Sequence, residues 1–190
     1  VPGAFRGLVG NTALNIAIRL NPGLKPADIL RDLNRLSSKA VNSDQNAEVG
    51  MRDGMDLALC VLDRENATLE YAGAHNPLYL IRDQKIEVFK ADKIGIGSTE
   101  SMHEEFTRYK ISLQKDDMIY IFSDGYADQF GGEQGRKFMY EPFRQLLLSI
   151  ALEDSDTQFN ILDTTLMEWL NAGISPQEQI DDIIVMGVRF

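Results

Sequence analysis

The chain has 190 residues, 44% of them hydrophobic, with 29 acidic against 19 basic side chains and a net charge of −10. That is apolar content for one full-sized core and not two, and the negative balance without any Lys/Arg cluster argues against nucleic acid as a partner. No apolar run approaches the roughly 18 to 20 residues of a membrane helix, and the single cysteine, Cys60, has no partner for a disulfide or a metal pair, so the sequence predicts a cytoplasmic segment without membrane contact.

In chain order, Phe5, Leu8, Val9, Thr12, Ile16 and Leu20 recur at helical spacing and stop at "NPG" (21–23), where Pro22 and Gly23 break the period. A second helix is predicted from Pro26, with Asp28 in its first turn and Ile29, Leu30, Leu33 and Leu36 on one face. The polar, aperiodic stretch 42–54 reads as a loop. From Met55 the period shortens: "MDLALCVLD", "TLEYAGA", "PLYLIR" and "IEVFK", separated by turn residues, predict an antiparallel meander. After "GIGS" come the alternating "FTRYKIS" and the apolar "MIYIF" (118–122), which reads as a central strand covered on both faces. Phe143, Leu146, Leu147 and Ile150 mark a third helix, Phe159, Leu162, Leu166 and Trp169 a fourth, and "DDIIVMGVRF" a last strand. Short connections and the absence of βαβ alternation predict an α+β protein with antiparallel sheets. There is no internal repeat.

The carboxylates become informative by position. "MIYIF" runs directly into "SDG", so Asp124 stands at the carboxyl end of an apolar strand, and Asp181 and Asp182 stand at the amino end of another. If those strands are antiparallel neighbours, the acids meet at one sheet edge, where mutual repulsion calls for a cation. Oxygen ligands suit Mg²⁺ or Mn²⁺. The two histidines, His75 and His103, are far apart and no cysteine joins them, which excludes a zinc pattern. By spacing alone, "SDG" reads as an ordinary turn after a strand.

Taken together, "VPGAF" (1–5), "RDGMDLALCVLD" (52–63), "LEYAGAHNPLYLIR" (69–82), "MIYIFSDGYADQFGG" (118–132) and "IDDIIVMGVRF" (180–190) resemble the stage II sporulation protein E type of phosphatase, a bacterial branch of the metal-dependent (PPM, type 2C) protein serine/threonine phosphatases. The resemblance implies an α/β/β/α sandwich of two antiparallel sheets flanked by helices. It implies a centre of two Mn²⁺ or Mg²⁺ ions with Asp124 and Asp181 as ligands, and Asp128 at a position that helps hold a further, weaker ion. Catalysis would proceed by attack of a metal-bridging hydroxide on phosphoserine or phosphothreonine, without a protein nucleophile. It further implies a phosphorylated regulatory protein as substrate, such as an anti-sigma-factor antagonist, an upstream sensor or receiver domain, and a homodimer through the N-terminal helices.

The chain departs from the family pattern at its start. "VPGAF" is the tail of a longer motif whose preceding Asp and Gly-rich turn supply further ligands, so residues 1–190 read as one catalytic domain lacking its N-terminal strands. The alternative reading is a noncatalytic phosphatase-like binding module. Ile184 stands where relatives carry Thr, and "AGAHNP" lacks an acid found in other branches. The remaining conspicuous residues read as structural: His75 as a local turn residue, Asp53 and Asp56 as solvated acids, Trp169 as a helix anchor and Cys60 as a small apolar residue. "GGEQGRK" (131–137) lacks the P-loop arrangement and reads as a mobile flap.

Overall fold

In a computed structural model, which describes residues 2–42, 54–97 and 105–190, helices are combined with antiparallel sheets, the α+β class read from the sequence. The chain divides into two compact units, residues 1–78 with 89–114 and residues 79–88 with 115–190. Asp53 and His103 lie outside the described residues.

The first unit holds α1 (Pro2–Leu20), α2 (Pro26–Asn42) and an antiparallel sheet of β1 (Leu57–Asp63), β2 (Thr68–Ala74) and β5 (Tyr109–Ser112) in the order β1-β2-β5. Its core joins Ile29, Leu30 and Leu33 of α2 to Ala72 and Ala74 of β2, with Ile96 and Phe106. Here α1 departs from the sequence reading. Its buried positions are Gly10, Ala13 and Ala17, whereas Leu8, Ile16 and Leu20 are exposed. At Gly10 the approach is close: a Cβ there would meet the Met55 side chain at 2.8 Å. Asn21 ends α1 by donating from Nδ2 to the Ala17 carbonyl (2.8 Å) and to Asp32 Oδ2 on α2 (2.9 Å). Cys60 is half-buried, and burial pushes its thiol up to about 11, which keeps it protonated and unreactive at neutral pH.

The predicted meander is interrupted after β2. β2 pairs with β1 and β5, while β3 (Leu78–Arg82) and β4 (Lys85–Phe89) belong to a different sheet. The chain turns away at "HNP", where His75 adopts a left-handed φ of 59°, its N–H donates to the Asp92 carbonyl (2.9 Å), and Pro77 has no N–H to continue a ladder.

The second unit contains a sheet in the order β4-β3-β6-β9, with β6 (Met118–Phe122) central and β9 (Val185–Arg189) at the edge among the described strands. Asp83 and Gln84, both at positive φ, form the two-residue hairpin turn between β3 and β4. β6 and β9 pair antiparallel, Met118 opposite Arg189 and Phe122 opposite Val185. The helices α4 (Tyr140–Ile150) and α5 (Ser155–Asn171) complete the unit's core. An aromatic chain runs through it: Tyr79 meets Phe122 at 4.7 Å, Phe122 meets Phe143, Phe143 stacks on Tyr126, and Tyr126 and Trp169 both contact Phe138. Two phenol groups of this core are hydrogen-bonded. Tyr120 donates to Gln158 Oε1 (2.7 Å), and Tyr126 donates to the Leu162 carbonyl (2.9 Å).

Candidate metal centre

Asp124 is delivered by the end of β6. After Phe122 the chain passes through Ser123 into the one-turn helix α3 (Gly125–Asp128), closed by the Asp128 N–H on the Asp124 carbonyl at 2.9 Å. Asp124 is half-buried, its side chain makes no capping hydrogen bond, and among the described residues no ion pair reaches it.

Ser123 binds the segment that carries the second acid. Its N–H donates to the Ile184 carbonyl (3.0 Å), its hydroxyl donates to the Asp182 carbonyl (3.0 Å), and the same oxygen accepts from the Ile184 N–H (3.0 Å). Gly125 is required for this approach, since a Cβ there would sit 2.6 Å from the Asp182 carbonyl oxygen. Residues 181–184 therefore lie beside residues 123–125, the juxtaposition expected if β6 and β9 were antiparallel neighbours. Asp181 and Asp182 are exposed, and Asp181 Oδ1 accepts from the Asp182 N–H at 2.7 Å.

Asp128 is differently placed, one helical turn beyond Asp124. Its Oδ2 pairs with Lys137 Nζ at 2.8 Å, both side chains being more than a third exposed. Lys137 belongs to a small hairpin of β7 (Phe130–Gly131) and β8 (Arg136–Lys137), the stretch expected to be a mobile flap. The entry to its turn is anchored: the Gly132 N–H donates to the Trp169 carbonyl (2.7 Å), and a Cβ on Gly131 or Gly132 would collide with Trp169. Trp169 is thus more than a core anchor, because its Nε1 also donates to the Gln129 carbonyl at 3.1 Å.

Ser123, Gln129 and Lys137 went unrecognised in the sequence; for Ser123 the only cue was its place in "SDG". His75 and Asp56 lie in the first unit, and both are exposed. Among the described residues no group of three or more His, Cys, Asp and Glu side chains could hold a metal. Of the carboxylates here, Asp124, Asp181 and Asp182 have no ion pair among the described residues whereas Asp128 has Lys137, and the first three fit a hard divalent ion in kind and would supply part of its coordination.

The α+β architecture matches that of solved PP2C phosphatase domains. The family model for "Stage II sporulation protein E (SpoIIE)" matches residues 3–190, and the chain belongs to that family. By family and fold it is a phosphatase domain of the PP2C type. The SiaA-PP2C domain of Pseudomonas aeruginosa is 27% identical with a TM-score of 0.85, the match covering 100% of this chain and 71% of that one. The PP2C phosphatase domain of SpoIIE from Bacillus subtilis, with a fragment of its regulatory domain, is 16% identical with a TM-score of 0.64, covering 98% of this chain and 50% of that one. The RsbU and RsbW domains of Rv1364c from Mycobacterium tuberculosis are 20% identical with a TM-score of 0.62, covering 95% and 45%. By sequence, no curated protein matches. No helix among the described residues is long and apolar enough to cross a membrane.

Proposed function

We propose that Asp124 and Asp181 are metal ligands of a Mn²⁺- or Mg²⁺-dependent phosphatase centre, within one catalytic domain spanning the 190 residues. The observation that carries this reading is the stitching of residues 181–184 to Ser123, which brings two acid-bearing segments together, with no ion pair on Asp124 or Asp181 among the described residues. Two bound divalent ions would supply a water of lowered pKa and offset the charge that develops on the phosphoryl oxygens. The chain's own contribution is to hold the carboxylates: Ser123 fixes the backbone on either side of Ile183, and the absence of a side chain on Gly125 permits the approach. Asp128 would join a further, weaker ion only by giving up Lys137.

The substrate in this reading is a phosphorylated regulatory protein of bacterial signalling, such as an anti-sigma-factor antagonist, met in the cytoplasm and under control of an upstream sensor or receiver domain. The RsbU and RsbW domains joined in one mycobacterial relative support such a setting. The exposed Leu8, Ile16 and Leu20 of α1 support a homodimer through the N-terminal helices.

The test is Mn²⁺-dependent hydrolysis of an aryl phosphate and a phosphoserine peptide. This chain and one extended upstream would be compared, each with and without Asp124→Asn. Activity abolished by the substitution is expected in the extended chain. The second reading, a noncatalytic phosphatase-like module, is favoured by the absence of a three-ligand group among the described residues. Silence of the folded extended chain would establish it.

A further inference from the structure

Gln129 is fully buried and stands immediately after α3, at its C-cap. A buried amide needs partners for both its donors and its acceptor. Gln129 finds them in two places. Nε2 donates to the Phe130 carbonyl (3.0 Å) and to the Glu178 carbonyl (2.9 Å), and Oε1 accepts from the Ile180 N–H (3.3 Å). The backbone carrying this amide is held in turn, because the Gln129 carbonyl accepts from Trp169 Nε1 (3.1 Å) and from the Phe138 N–H (2.9 Å).

The segment so gripped has no helix or strand of its own between Asn171 and Val185, so its course depends on such point contacts. Two of them bracket Asp181. Ile180 is bound on Gln129 and Asp182 is bound on Ser123, leaving Asp181 as the single residue between the anchors. Asp124 and Gln129 flank the same short helix, one at each end.

We propose that Gln129 is a positioning residue of the metal centre: through Glu178 and Ile180 it sets where the Asp181 carboxylate stands relative to Asp124. The inference rests on the metal-ligand reading of those two aspartates. It also explains why the amide is needed. A carboxylate cannot donate to the carbonyls of Phe130 and Glu178, and an apolar side chain of equal length leaves Glu178 and Ile180 without their partner.

The experiment is titration of the full-length protein with Mn²⁺ by calorimetry, for the wild type, Gln129→Met, Gln129→Glu and Asp124→Asn, with thermal melting of each. Both Gln129 variants are expected to weaken Mn²⁺ binding by about 10- to 100-fold while still melting cooperatively. Ile180→Pro, which removes the N–H that Oε1 accepts and also fixes φ at position 180, is expected to weaken binding in the same direction and keeps the test open if Gln129 variants do not fold. A lowered melting temperature with Mn²⁺ affinity within about twofold of wild type would make Gln129 merely structural and overturn the proposal. If Asp124→Asn itself leaves Mn²⁺ affinity unchanged, the metal reading falls and this inference falls with it. If Asp124→Asn abolishes binding and the other three substitutions do not weaken it, only the inference falls.

Discussion

Asp117 and Asp124 stand at opposite ends of β6 and are treated in opposite ways. Asp117 is 1% exposed and accepts two hydrogen bonds from Arg82, Nε to Oδ1 at 2.7 Å and Nη2 to Oδ2 at 2.6 Å, a bidentate fork that ties the end of β3 to the start of β6. Asp124 is half-buried, and no ion pair reaches it among the described residues. A carboxylate neutralised inside the fold is a structural device, whereas one brought to a sheet end and left without a protein cation is available to an ion from outside. The comparison separates the two roles on one strand, and it can be broken by substitutions at either end.

The largest loss of stability is expected at the Asp117 end. Arg82→Met leaves a buried carboxylate without its fork, and unfolding in urea is expected to show a loss of about 3 kcal/mol. Mn²⁺ affinity of the folded fraction should be unchanged. If the loss were negligible, Asp117 would not be the structural partner in the comparison.

A smaller effect is expected from Gly125→Ala at the Asp124 end. The added Cβ would lie 2.6 Å from the Asp182 carbonyl oxygen, so residues 181–184 must move away from β6, at a cost of about 2 kcal/mol. Unlike Arg82→Met, this substitution should also weaken Mn²⁺ binding. Calorimetry showing full affinity would mean that the close approach at Gly125 does not set the site.

In the middle of the strand, Tyr120→Phe removes the hydroxyl that Gln158 Oε1 accepts from and is expected to cost about 1 kcal/mol. It also has a pH signature. Burial pushes the Tyr120 phenol up from 10.0 to about 12, so the folded state disfavours the phenolate. That contribution is fully present below pH 10 and is lost as pH rises toward 12, because the unfolded chain releases its proton first. The Phe variant should therefore lose less stability across that window, measured by urea unfolding at stepped pH. Tyr126, likewise raised by burial, retains part of the slope in both.

Much of this architecture was legible because it depends on periods. The apolar runs at 118–122 and 183–188 mark β6 and β9, and the antiparallel pairing on which the meeting of their acids was conditional is found in the register. The face of α1 was not legible, since its apolar residues surround the helix and the positions that are buried are the small Ala13, Ala17 and Gly10, the last of which lies against Met55. Nor was the break in the meander, because "HNP" reads like any turn until the partners of β2 and β3 are known. Ser123, Gln129 and Lys137 depend on partners brought close only by folding, and a polar residue carries no sign in sequence of what it will bind. Gln129 in particular lies 49 positions from Glu178.

The smallest effect on stability, and the sharpest test of the contrast, belongs to Asp124→Asn in the absence of divalent ions. A carboxylate with no ion pair among the described residues, close to the segment bearing Asp181 and Asp182, adds repulsion without a compensating bond. Its replacement by a neutral amide of the same shape should leave metal-free stability within about 0.5 kcal/mol of wild type or raise it slightly, the range of a surface substitution. Adding Mn²⁺ should then stabilise the wild type and leave the variant unmoved, since only a state that binds ligand is shifted by it. A melting series with and without Mn²⁺ checks both halves. A variant that is markedly less stable without metal would show Asp124 to be a structural acid like Asp117, and the two ends of β6 would then differ only in the partner that holds them.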